Sequence, residues 1–469
     1  MEEVRDCQAL VACAFASLAH TRPAFEPKGQ IVRLNKIATA AFAGLIVLPL
    51  AACGGGGATT GSSSPNAGAT LTYWASNQGT SLNNDKQVLT PELQKFTKQT
   101  GIKVNLEVVP WSDLLNQVLA ATTSGKGPDV VNIGNTWSSS IQATGAFLPF
   151  DNATLTAIGG KSRFLTGAMS ATGVAGQPPV AVPLYSIAYG LYYNKSQFKA
   201  AGISSPPKTW DEFVVDAKKL TTAHHWALSL EAGSVTENIH SAFMLSQQQG
   251  GSFFDSAGKA TFNTPQNVAA IKQYIDFMQT DKIVNPSDAQ YSNGTEALKD
   301  FATGTTSMVF WQAAQGSVLQ FGMKPDDIGV APVPLPATLP AGGRPVTSMV
   351  AGINLGIFKN TANKDAAIKF VKFMTSTPEE QILNKAYGSL PSVTDAYSDP
   401  AFQTPNVQVI KDVLSHSAAP MPQVAGESQF EKLVGTAMAT LFANAATGKT
   451  VTSSQISTAL AAAQQQVTN

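Results

Sequence analysis

Cysteine is nearly absent from this chain. Its 469 residues hold three, Cys7, Cys13 and Cys53. The first two precede an export signal argued below, so the exported part keeps Cys53 alone and can form no internal disulfide. Its fold must then rest on hydrophobic burial, and roughly 400 residues are ample for that and too many for a single core. Excess charge of either sign is also missing. The chain carries 31 basic and 31 acidic residues, with no basic stripe and no acidic tail. That argues against nucleic acid, against polybasic docking to a membrane, and against electrostatic capture of a highly charged ligand. No apolar run reaches the length of about 20 residues that spans a bilayer core. Catalytic signatures are lacking as well: there is no His-Glu-x-x-His, no Gly-x-Ser-x-Gly, no Walker loop and no cysteine pair for zinc. His224, His225, His240 and His416 lack metal-ligand spacing. No cofactor or metal is expected, and the chain is read as a binding protein rather than an enzyme.

What is present begins with the apolar run 37–50, preceded by Arg33 and Lys36 and followed by "LAAC" and then "GGGGATTGSSSPNAGA". A basic start, a short apolar stretch and small residues make an export signal. Leu50-Ala51-Ala52-Cys53 resembles the bacterial lipobox, which implies that Cys53 carries a diacylglyceryl group and becomes the mature N-terminus. Two acyl chains anchor stably where one does not. Residues 54–69 cannot bury enough surface to fold, so they form a flexible tether. Such a coil spans on the order of 20–24 Å. Glu2, Glu3 and Asp6 do not suit a signal start, and this reading places translation initiation near Val32. Residues 1–52 are thus signal and mis-placed start, and 53–69 the anchored tether.

Beyond residue 70 the patterns alternate. "TLTYWAS" (70–76) reads as a strand, 85–101 as a helix ending at Gly101, "IKVNLEVV" (102–109) as a strand, 112–125 as a helix, and "PDVVNI" (128–133) as a strand. This order predicts right-handed crossovers and a parallel sheet, hence an α/β fold. "SIAYGLYYN" (186–194) is a further strand. Thr209 with Glu212 and Thr377 with Glu380 each read as a helix-opening capping box. Segments 268–278, 365–374 and 430–442 are amphipathic helices.

Three tryptophans sit at equivalent places. Trp74 lies late in the first strand, Trp111 follows the second, and Trp137 follows the third. Ligands of open α/β sheets bind beyond the carboxyl ends of the strands. Trp311 closes another strand-like run, "SMVFW". Indoles offer flat apolar faces that suit the C–H faces of a pyranose. The neutral groups Asn77, Gln78, Asn135, Thr136 and Gln312 stand beside them. This mixture fits a neutral, hydroxyl-rich ligand. Trp210, inside its capping box, reads as a packing residue, and nothing marks Trp226 for function.

The segments "GKGPDVVNIGNTWSSSIQATGAFLPFD" (125–151), "VPLYSIAYGLYYNKSQFKAAGISSPPKTWDEF" (182–213), "ALKDFATGTTSMVFW" (297–311) and "AAIKFVKFMTSTPEEQ" (366–381) resemble the family 1 extracellular solute-binding proteins of sugar ABC importers, the maltodextrin-binding-like proteins. The resemblance implies a two-lobed periplasmic-binding-protein-like fold of type II. Its lobes would be 70–184 with 351–390 and 189–346 with 395–469. Three hinge crossings near 185–188, 347–350 and 391–395 would join them. It also implies ligand contacts at Asn77, Trp111, Asn135, Trp137, Tyr185, Ser186, Glu231, Trp311 and Gln312, to which the strand-end argument adds Trp74. Maltodextrin-binding relatives carry charged residues after the first and third strands, where this chain has neutral ones. The expected function is capture of a sugar or oligosaccharide by a monomeric, lipid-anchored, exported receptor. It would deliver that sugar to an ABC permease. Two other classes share this compartment: a receptor for a polyamine or peptide, and a secreted carbohydrate-active enzyme. The enzyme would need two facing carboxylates, for which Glu231 and Glu427 are the available pair.

Overall fold

Leu71, Tyr73 and Ala75 are buried on one face of the first strand, while Trp74 points to the other. That alternation starts the fold. A computed structural model describes residues 68–467 apart from 175. The signal, Cys53 and nearly all of the tether lie outside the described residues.

The strands are β1 (Thr70–Ser76), β2 (Lys103–Val109), β3 (Val130–Gly134), β4 (Ala181–Ile187), β5 (Tyr189–Asn194), β6 (Trp226–Ser229), β7 (Thr306–Gln312), β8 (Ile328–Ala331), β9 (Ser348–Met349), β10 (Ala351–Ile357), β11 (Leu390–Pro391) and β12 (Ala418–Ala419). A six-stranded sheet runs β11-β4-β10-β3-β1-β2, and a four-stranded sheet runs β6-β7-β5-β8. β1 pairs parallel with both β2 and β3, as the alternating pattern predicts. β10 returns antiparallel between β3 and β4, so the sheet is mixed. Each sheet is the centre of a lobe with its own hydrophobic clusters, which is how a chain of this length divides.

The single strand expected over 186–194 is in fact two. Ala188 separates β4 of the first sheet from β5 of the second. Apolar periodicity runs unbroken through the crossing because both sides are buried, so the sequence pattern conceals the change of sheet. The chain returns between Met349 and Ala351 and leaves the first sheet again after Pro391. The small pair β9–β12 lies at the return, where Val350 N donates to Ala419 O.

Helix α1 (Leu82–Thr100) starts at Ser81, whose side chain accepts from Asn84 N, and stops at Gly101 in the left-handed region. α2 (Trp111–Ser124) buries Leu114, Val118 and Ala121. In the second lobe α3 (Val235–Gln248) is buried along almost its whole length. α4 (Glu427–Ala446) buries Phe430, Val434, Met438 and Phe442 beside it. Thr209 and Glu212 form the expected capping box, and Trp210 is buried against Phe213, Phe277 and Phe310. The second expected box does not form. Helix Thr377–Tyr387 starts one residue earlier than read, with Ser376 as cap and no side-chain cap bond. Glu380 is turned inward instead, where its carboxylate accepts from Ser392 N at 2.7 Å and from Asn384. A core partner outcompetes the local cap.

Candidate functional site

A cleft between the two sheets is lined by residues of both lobes. Of the ten ligand contacts expected from sequence, Asn77, Trp111, Asn135, Trp137, Trp311 and Gln312 line it. Trp74, Tyr185, Ser186 and Glu231 do not.

The lobe of the six-stranded sheet supplies one wall. Asn77 and Gln78 follow β1 and are pinned by Asp85, a fully buried carboxylate in the first turn of α1. It accepts from Gln78 N at 3.1 Å, Gly79 N at 2.8 Å and Asn77 Nδ2 at 2.5 Å. Trp111 opens α2 and meets Trp137 edge to face, with ring centroids 5.8 Å apart. Trp137 is only 1 % exposed, so it presents an edge to the cleft while packing as core. Asn135 is held by its Nδ2 donating to Val350 O at 2.8 Å, at a crossing between lobes.

The other wall comes from the second lobe. Trp311 ends β7 and lies against Gly294, whose φ is 80°. A Cβ there would come within 2.7 Å of the indole, so glycine both permits the backbone and seats the ring. Ala313, next to Gln312, has φ 54° although it is not glycine, a conformation that costs on the order of 1–2 kcal/mol and is typical of constrained sites.

Below these rings sits a polar group that the sequence reading missed. Glu237 accepts from Tyr189 OH at 2.5 Å and from Gln312 Nε2 at 3.3 Å. Burial pushes its carboxyl up to about 7, opposed by the Tyr189 bond. Burial pushes His240 down to about 3, so it is neutral. Its Nδ1 is 2.8 Å from Tyr189 OH. With Glu237 ionised the tyrosine proton goes to it, so Nδ1 donates and Nε2 is an acceptor; with Glu237 protonated the relay reverses. His240 Nε2, Gln312 Oε1 and Asn293 Oδ1 are all without a partner, and all belong to residues lining the cleft. Among the described residues no lysine or arginine lines it. Glu237 and His240 are three apart on α3, amid an apolar stripe; that polar interruption is the signal sequence reading could have used.

The four residues absent from the lining have other contacts. Trp74 faces the α2 side of its sheet. It shares that cluster with Trp111 and Trp137 but lies two residues short of the end of β1, so it does not reach the cleft beyond the strand ends. Tyr185 packs edge-on against Tyr387, which does line the cleft. Ser186 bonds Ser392 at 2.9 Å, beside the crossing. Glu231 is buried and accepts from Ala297 N at 3.1 Å, holding the loop under Trp311; burial raises its carboxyl to about 8. Glu427 is likewise buried away from the cleft, so Glu231 and Glu427 do not face each other across it. Among the described residues there is no cluster of three or more histidine, cysteine or acidic side chains able to hold a metal. Nor is any helix there long and apolar enough to cross a membrane.

Residues 79–381, more than half of the chain, match the family described as bacterial extracellular solute-binding protein. The chain belongs to that family. Putative binding proteins of Brucella abortus and Brucella suis are 26 % identical over 276 residues, 58 % of this chain. The match spans 64 % of their own length. The diacetylchitobiose-binding protein of Streptomyces coelicolor is 26 % identical over 76 % of this chain and 81 % of its own. The maltotriose-binding protein of Pyrococcus abyssi is 26 % identical over 61 % and 60 %. Among solved structures, maltose-bound MalE3 of T. maritima superposes with a TM-score of 0.72 at 24 % identity, covering 85 % of this chain and 99 % of that one. The two-lobed fold of this family is therefore the fold of the chain.

Proposed function

We propose that this solute-binding protein captures a neutral sugar or oligosaccharide in the interlobe cleft and hands it to an ABC permease. One observation carries the ligand class: among the described residues no lysine or arginine lines the cleft, the indoles of Trp111 and Trp311 wall it, and its lining residues keep three unpartnered polar atoms. Hydroxyl groups would supply the missing partners, and the rings would cover apolar sugar faces. The diacetylchitobiose- and maltotriose-binding relatives support the same class. Closing the lobes on a ligand that touches both would favour the closed state. No step of this function calls for chemistry on the ligand. Anchoring through Cys53 would keep the receptor at the outer membrane face beside its permease, and it would act as a monomer.

One observation favours a second reading. Glu237 has no cationic partner, so a ligand bearing an ammonium group, such as a polyamine, would complete it. Thermal shift over monosaccharides, oligosaccharides, polyols and polyamines separates the two. A ligand at a hundred times its dissociation constant stabilises by about 2.7 kcal/mol. Shifts with sugars and none with polyamines support the first reading; the reverse pattern overturns it.

A further inference from the structure

Two carboxylates meet where the lobes touch, away from the cleft lining. Glu427 and Glu431 lie one turn apart on α4, and both are fully buried. Glu431 belongs to the second lobe, yet both its oxygens are used by the first. Oε1 accepts from Thr136 Oγ1 and Oε2 from the indole Nε1 of Trp137. Thr136 and Trp137 both line the cleft. Ser140 with Ser428, and Ser139 with Gln423 at 2.8 Å, extend this contact between the same two elements.

Glu427 has no hydrogen-bond donor on either oxygen. Its neighbour is an acceptor already in use. Among the described residues no cation is paired with either carboxylate. The elements packed on α4 bring Glu237 and His240 from α3, Tyr274 with the mutually paired Lys272 and Asp276 from helix Pro265–Gln279, and Asp288 from the turn 286–290. The segment 135–144 and helix Ser453–Gln464 bring no titratable group. Tyr189 and Glu237 are the groups that feel Glu431, and neither is positive. Lys432 on α4 itself is exposed. Two buried carboxylates without a cation cannot both be ionised. Burial raises both carboxyls, but Glu427, Thr136 and Trp137 each favour the carboxylate form of Glu431, so Glu431 is the one that ionises first. Glu427 must then hold the proton and donate it to Glu431.

We propose that Glu431 is a positioning residue that clasps Thr136 and Trp137 across the lobes, and that the proton on Glu427 is what permits the clasp. This rests on reading the cleft as a site that closes on its ligand. When the lobes separate, water reaches both carboxyls and Glu427 ionises as an ordinary glutamate does. Closing the lobes therefore takes up one proton. Burial and the neighbouring Glu431 hold Glu427 well above the usual carboxylate range in the clasped form. The sign follows. The clasp is at full strength below the ordinary carboxylate pKa, and it weakens as pH rises toward the raised value.

The test needs no known ligand. Small-angle scattering of the ligand-free protein from pH 5 to pH 9 should show the radius of gyration rising with pH. Glu427→Gln keeps a donor toward Glu431 without a proton to lose, and should flatten that rise. Glu431→Gln removes the other charge and should flatten it too. Calorimetric titration with diacetylchitobiose and maltotriose, in buffers of differing ionisation enthalpy, reads proton uptake directly. About one proton per ligand is expected for the wild type near pH 7, falling by about one in Glu427→Gln. Affinity should weaken by up to about tenfold per pH unit in the wild type. A wild-type radius that does not change with pH overturns the clasp, as does an unaltered profile in both variants. If neither sugar binds, the ligand class is wrong, while the scattering result still decides the clasp.

Discussion

Trp311 and Trp137 both line the cleft, yet replacing them should give opposite signatures. Trp311 is part-exposed near the end of β7, resting on the Gly294 backbone and on the edge of a hydrophobic cluster of the second lobe. Trp311→Ala removes a ring that a ligand would cover. Losing that apolar contact costs binding about 1.5–3 kcal/mol, by analogy with burying a large side chain. This is a rise in dissociation constant of roughly tenfold to a hundredfold. Stability should fall by less, because in the open state the ring already faces water. Trp137 is different: it is fully packed, and its indole N–H donates to Glu431. Trp137→Ala should cost about 3–5 kcal/mol of stability for the cavity. Stranding a buried carboxylate oxygen adds on the order of 1–3 kcal/mol. Trp137→Phe keeps most of the ring and should show the second cost by itself. Melting curves and calorimetric titration with the strongest ligand of the sugar panel separate these effects. If Trp311→Ala binds as tightly as the parent and melts several degrees earlier, Trp311 is a core residue and the cleft is not the sugar site.

Asp85→Ala should free the loop 77–79, costing about 2–3 kcal/mol of stability for charge-assisted bonds lost and weakening ligand binding with it; melts and titration on one preparation check both. Glu237 is raised from 4.5 to about 7 by burial, so in the ligand-free protein its favourable contribution is complete below 4.5 and is lost as pH rises to about 7. Glu237→Gln should therefore gain on the parent by on the order of 3 kcal/mol between pH 4.5 and pH 8, read as a widening gap between the two melting curves. An equal gap at both pH values would mean that Glu237 is ionised throughout. Cys53→Ala should shift the protein from the membrane to the soluble extracytoplasmic fraction; retention on membranes after a high-salt wash would defeat the lipoprotein reading.

The sequence by itself determined the elements of the first sheet and several of the residues that line the cleft. Periodicity placed β1, α1, β2, α2 and β3 to within a few residues, because each buries one face on a neighbour and so repeats its apolar spacing. Tryptophans after β2, β3 and β7 and neutral amides beside them marked the cleft, since strand ends in an α/β sheet converge on one edge. Only the tertiary structure decided which side chains face inward. Trp74 packs beside Trp111 and Trp137 yet stops short of the cleft, because it lies within β1 and not beyond its end. Ala188 divided one apolar run between two sheets, which no local pattern records. Glu237, His240, Asp85 and Glu431 act through partners 6 to 295 residues away in the chain. The first three pairings need one folded lobe, and only that of Glu431 with Thr136 and Trp137 needs the two lobes brought together.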